Sequence, residues 1–101
     1  MMSDSVAHVS AQVYLLRRDE GGRKLPVKTG YRPTLYFGQQ QIDGIVSFEP
    51  DAKPVLGREY VVTIRLINPE HLGGALKKDA VFDWREGSKI VARGTVLDIQ
   101  S

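Results

Sequence analysis

Short runs in which apolar and polar residues alternate with a period of two constrain this chain more than any other feature. Val9, Ala11, Val13 and Leu15 alternate with Ser10, Gln12 and Tyr14, and Tyr60, Val62, Ile64 and Leu66 oppose Val61, Thr63, Arg65 and Ile67. Successive side chains of a strand point to opposite faces, so each run describes a ribbon with one face to bury. No window of ten or more residues carries a 3.6-residue stripe. The β-branched and aromatic run Thr34 to Phe37, the run Ile42 to Phe48, the short run Ala80 to Trp84 and the long run Lys89 to Ile99 read as further strands, with one more short strand over Leu25 to Lys28. Gly44 inside its run and the slipped alternation near Gly94 predict bulges or bends. Gly21-Gly22, Glu49 to Pro54 and Arg85-Glu86-Gly87-Ser88 are turn or loop material, and Asn68-Pro69 stops the strand before it. His71 to Asp79 is expected to be a connection with one helical turn.

Six or seven short antiparallel strands in 101 residues must hide their edges. Closing into a small barrel removes those edges, and a small barrel is the architecture expected. One domain fits this length: residues 8–101, after a flexible N-terminus over 1–7 in which Met1 to Ser5 shows no apolar pattern.

Several chemistries are excluded by what the sequence lacks. There is no cysteine, so there is neither a disulfide framework nor a thiolate metal site. His8 and His71, the only histidines, have no metal-binding spacing, and no phosphate-cradling glycine motif or nucleophile elbow occurs. The expectation is a non-enzymatic protein without metal or cofactor. No apolar run approaches the roughly 20 residues a bilayer requires, and no secretory pattern opens the chain, which makes the cytoplasm the expected compartment. The net charge is only +2, but six of the fourteen basic residues lie between Arg17 and Arg32 (Arg17, Arg18, Arg23, Lys24, Lys28 and Arg32), with Asp19 and Glu20 among them. Such a stretch is either a solvated mixed-charge face or half of an anion-binding one.

A resemblance sharpens this reading. Val13-Tyr14-Leu15-Leu16, Asp19-Glu20-Gly21-Gly22-Arg23, Gly30-Tyr31-Arg32-Pro33 and Leu35-Tyr36-Phe37 follow one another as in the opening of the C-terminal barrel of elongation factor Tu. Gly44, Gly57, Phe82 and Arg85-Glu86-Gly87 continue the resemblance, which covers roughly residues 8–99. It implies a closed, six-stranded, antiparallel, Greek-key-like barrel. In the full factor this barrel is the third domain; it grips the T-stem of aminoacyl-tRNA and contacts the GTPase domain and the exchange factor. The GTPase motifs have no counterpart in the sequence, so GTPase activity is not implied. The Met1-Met2 start and compact end favour a natural short protein over a fragment.

The resemblance implies an RNA-contact set of Arg23, Lys24, Arg32, Arg85, Glu86 and Gly87. Arg23 and the Glu86-Gly87 turn match the family, and Lys24 replaces a histidine while keeping a donor. Thr34 stands where a glutamine is usual, Asp43 replaces a threonine, and Gly38-Gln39-Gln40, Ser88-Lys89 and Arg93 also depart from the pattern. The segment Pro69 to Asp79 is longer than the matching connection. Surfaces that face the GTPase domain in the family have to become polar, self-associate or meet another protein. Docking on a protein partner, a translation GTPase or a second copy, is therefore the first functional expectation, with Leu72, Leu76 and Trp84 as candidate anchors. RNA binding with weakened phosphate contacts is the alternative.

Overall fold

A computed structural model describes residues 5–100. Among these residues, six strands close into one antiparallel barrel: β1 (Val6–Leu15), β2 (Thr34–Phe37), β3 (Gln40–Ser47), β4 (Glu59–Ile67), β5 (Val81–Glu86) and β6 (Lys89–Gln100). The order around the barrel is β1-β4-β3-β2-β5-β6, with β6 returning to β1. Strands β2, β3 and β4 neighbour in sequence order and β1 returns beside β4, which is a Greek key. All pairings are antiparallel, as the period-two patterning demands.

The inward positions form the core. Val9, Ala11, Val13 and Leu15 of β1 face Val62, Ile64 and Leu66 of β4, Leu35 and Phe37 of β2, Phe82 and Trp84 of β5, and Val96 of β6. The Phe37 and Phe82 rings meet at 5.4 Å between centroids, and Phe48 meets Tyr60 edge-on at 5.8 Å. Each fully buried aliphatic or aromatic side chain stabilises the fold by about 1.5–3 kcal/mol. At one end of the barrel lie the β1–β2 connection, the β3–β4 loop and the two-residue β5–β6 hairpin. At the other lie the β2–β3 hairpin and a 3₁₀ segment, η2 (Pro69–Ala75), whose Leu72 closes the core.

Four local expectations are corrected. Leu25 to Lys28 is not a strand: Pro26 has no N–H to donate, and the carbonyls of Leu25 and Pro26 accept from Arg23 Nη1 at 3.2 and 3.1 Å. Gly44 makes no bulge, since the β3 pairings run through it in register. It is there because a Cβ would lie 2.7 Å from Ile64 Cγ2 and 2.9 Å from Leu35 Cδ1. The slip in β6 is real, but it falls at Val91 and Leu97, on either side of Gly94. At Gly94 itself the Phe82 ring lies where a side chain would go, 2.5 Å from a Cβ. The fourth correction concerns the N-terminus: β1 starts at Val6, Ala7 is buried, and Ser5 exchanges hydrogen bonds with Asn68 (Ser5 N–H to Oδ1, 3.0 Å; Asn68 N–H to Ser5 O, 2.8 Å). The flexibility expected for Met1 to Asp4 falls outside the described residues. No helix among the described residues is long and apolar enough to cross a membrane.

Candidate functional site

The Asp19-Glu20-Gly21-Gly22 sequence turns the chain at the barrel rim. A short 3₁₀ turn, η1 (Arg18–Glu20), is capped by Glu20, whose Oε1 accepts from the Arg17 N–H at 2.8 Å and from the Tyr14 hydroxyl at 2.7 Å. The backbone bond foremost, and the Tyr14 bond with it, hold the Glu20 carboxyl below its ordinary range, while the bond to Glu20 pushes the Tyr14 phenol up. Gly21 then takes φ 90°, a conformation open to glycine at no steric cost, and the chain emerges with Arg23 on the rim.

Arg23 is held there on several sides. Its Nε lies 2.8 Å from Glu86 Oε2, its Nη1 donates to the Leu25 and Pro26 carbonyls, and its guanidinium carbon lies 5.2 Å from the centre of the Tyr31 ring. The Tyr31 hydroxyl donates to the same Glu86 Oε2 at 2.6 Å. The Tyr31 ring packs at 5.7 Å, tilted, on Trp84. Burial first, and the Glu86 bond second, raise the Tyr31 phenol far above its ordinary value. Glu86 is placed by the β5–β6 hairpin, in which Glu86 pairs with Lys89 across Gly87-Ser88. Gly87 has φ 63°, the sign that a two-residue hairpin with glycine first requires.

This knot of Arg23, Tyr31 and Glu86 satisfies its own charges, and the cations around it do not pair. Among the described residues Lys24, Lys28 and Lys89 make no ion pair with an acid. Lys28 lines an open cleft of about 310 Å³ with Arg23, Pro26, Val27, Thr29, Gly30 and Tyr31. The arrangement presents three ammonium groups without acid partners about a neutralised Arg23–Glu86 centre, which suits a polyanion.

The residues expected from the sequence divide between places. Arg23, Glu86 and Gly87 meet at the rim, with Lys24 beside Arg23. Arg85 lies on the barrel flank: it is bidentate to Asp83 (2.7 and 3.3 Å) with its guanidinium 4.0 Å from the Tyr36 ring centre, and the Asp83 bonds raise its pKa further. Arg32 lies on another flank, beside Asp43, which accepts from Thr34 Oγ1 at 2.9 Å. The expected protein anchors are corrected by their burial. Trp84 is 0% exposed and Leu72 1%, so neither reaches the surface, while half-buried Leu76 packs on the core. Trp84 occupies an inward position of β5, and Leu72 plugs the end of the barrel. Sequence reasoning placed Lys28 in the basic stretch but left it out of the RNA-contact set, and it assigned no contact role to Lys89 or Tyr31. Lys89, directly after a glycine hairpin, was the available signal.

The fold is a closed Greek-key barrel with a polar, partly basic rim at one end. The chain belongs to the elongation factor Tu C-terminal domain family, whose family model matches residues 3–100. The match is to that factor's C-terminal domain and takes in no GTPase domain.

Proposed function

We propose that the protein is a binding module that grips the phosphate backbone of a folded RNA with the rim around Arg23. The observation that carries this reading is the combination of Lys24, Lys28 and Lys89, none ion-paired among the described residues, around the fixed Arg23–Tyr31–Glu86 centre. Lysine ammonium groups on flexible stems follow a backbone without demanding one geometry, so affinity is salt-sensitive and carries little sequence preference. Burial of Trp84 and Leu72 removes two of the three anchors named for the protein-docking reading. Glu86 supplies an acceptor for a base or ribose donor approaching the rim, and Asp43, further down the flank, bounds the RNA by repulsion.

Titration with transfer RNA, followed by backbone amide shifts, tests the reading. The expected result is that amides of residues 23–31 and 86–89 move together and that binding weakens at least tenfold in the Lys24→Ala/Lys28→Ala/Lys89→Ala variant. Unmoved rim amides, or undiminished affinity in the triple variant, would overturn it.

A further inference from the structure

A second basic feature crosses the opposite flank, and the register defines it. Arg32 lies opposite Ile45, because Val46 N–H donates to the Tyr31 carbonyl at 2.9 Å and Gly44 N–H to the Pro33 carbonyl at 3.2 Å. Ile45 pairs with Arg65, and Arg65 with His8. One transverse row on the outer surface therefore reads Arg32, Ile45, Arg65, His8 across four adjacent segments. Val6 and Ile67 pair in the next row, and Ile67 is 40% exposed. Arg32, Ile45, Arg65 and Ile67 line one open cleft of about 240 Å³, whose single carboxylate, Asp43, is held by Thr34. Neither arginine pairs with an acid among the described residues.

We infer that this flank docks an acidic amphipathic helix of a partner protein. The row has an apolar centre with a cation on each side, so the partner needs an acid, an apolar side chain and an acid in line. Two strand spacings separate Arg32 from Arg65, about 10 Å. On a helix, residues i and i+7 share a face and are about 10.5 Å apart along the axis, with i+3 or i+4 between them. A helix laid across the strands with glutamates at i and i+7 and leucine at i+4 thus matches both the chemistry and the spacing. A phosphate backbone matches it poorly. It gains nothing from the Ile45 and Ile67 floor, and the Asp43 carboxylate in the cleft repels it. This surface is separate from the lysine rim, so it stands or falls independently of RNA binding.

The probe is an alanine-rich helical peptide of roughly 18 residues, long enough to be helical alone, carrying that Glu-Leu-Glu pattern. Its fluorescence anisotropy is followed against the wild type, Arg65→Glu, Ile67→Ser and Arg32→Glu/Arg65→Glu, all surface changes whose folding is checked by circular dichroism. The expected result is binding that weakens at least tenfold in Arg65→Glu and severalfold in Ile67→Ser. In addition, a peptide with lysines in place of the glutamates should bind the double variant and not the wild type. Absence of binding at millimolar peptide, equal affinity for Arg65→Glu, or amide shifts confined to other faces would overturn the inference. So would transfer RNA shifting the amides of residues 45, 65 and 67 when the peptide does not, which would mark a nucleic-acid face instead.

Discussion

Arg23 and its lysine neighbours differ in what their side chains are committed to, and that difference separates stability from binding. Arg23 is anchored by Glu86, two carbonyls and the Tyr31 ring, whereas Lys24 is exposed and makes no ion pair among the described residues. Arg23→Ala leaves those carbonyls and Glu86 short of a donor and is expected to cost about 1–2 kcal/mol in urea unfolding. Lys24→Ala is expected to change stability by less than about 0.5 kcal/mol. Tyr31 adds a pH signature. Its folded pKa is raised, so its contribution is fully present below the ordinary phenol value of 10.0. As pH climbs past that value the unfolded phenol ionises while the folded one stays neutral, and stability falls. Unfolding midpoints measured from pH 8 upward should therefore decline less steeply in Tyr31→Phe than in the wild type. Steric fit is equally local. Gly94→Ala drives a methyl into the Phe82 ring and is expected to destabilise by about 1–3 kcal/mol in the same unfolding assay.

Strands with one face buried along their whole length were legible, and elements shaped by single contacts were not. In β1 and β4 the apolar set from Val9 to Leu15 and from Val62 to Leu66 lies inward without interruption, because a one-residue slip would turn it all to solvent. The β6 bulges were visible only as a disturbance near Gly94. Their positions at Val91 and Leu97 depend on the partners β5 and β1, which a local pattern does not contain. The rim was half legible: the turn that delivers Arg23 is written in its glycines, but the Tyr31–Glu86 bond joins residues 55 apart. The η2 segment was legible as a connection with a helical turn, but not its contacts. Leu72 is its buried residue, His71 Nε2 lies 2.9 Å from the Gln41 carbonyl, and the Ser5 hydroxyl donates to Glu70. Leu72→Ala opens the end of the barrel and is expected to cost about 2–5 kcal/mol. Hydrogen exchange should show the loss first in η2 and the β2–β3 hairpin.

Taken whole, the molecule is a closed cylinder that leaves little sheet edge unpaired and directs its chemistry outward. One end carries the lysine rim, and one flank carries the Arg32–Ile45–Arg65 row. A small net charge of +2 hides both, because acids such as Asp83 and Glu86 are spent on Arg85 and Arg23, while Lys24, Lys28, Lys89, Arg32 and Arg65 make no ion pair among the described residues. On the proposed reading, function resides in the distribution of charge over the barrel surface, and the overall charge says little about it. The salt dependence of transfer RNA affinity, measured from about 50 to 200 mM salt for the wild type and for the Lys24→Ala/Lys28→Ala/Lys89→Ala variant, tests this most directly. A log–log slope that becomes shallower by roughly two to three units in the variant is the predicted result. Identical slopes in the two proteins, or an affinity indifferent to salt, would contradict the lysine rim as the RNA-binding surface.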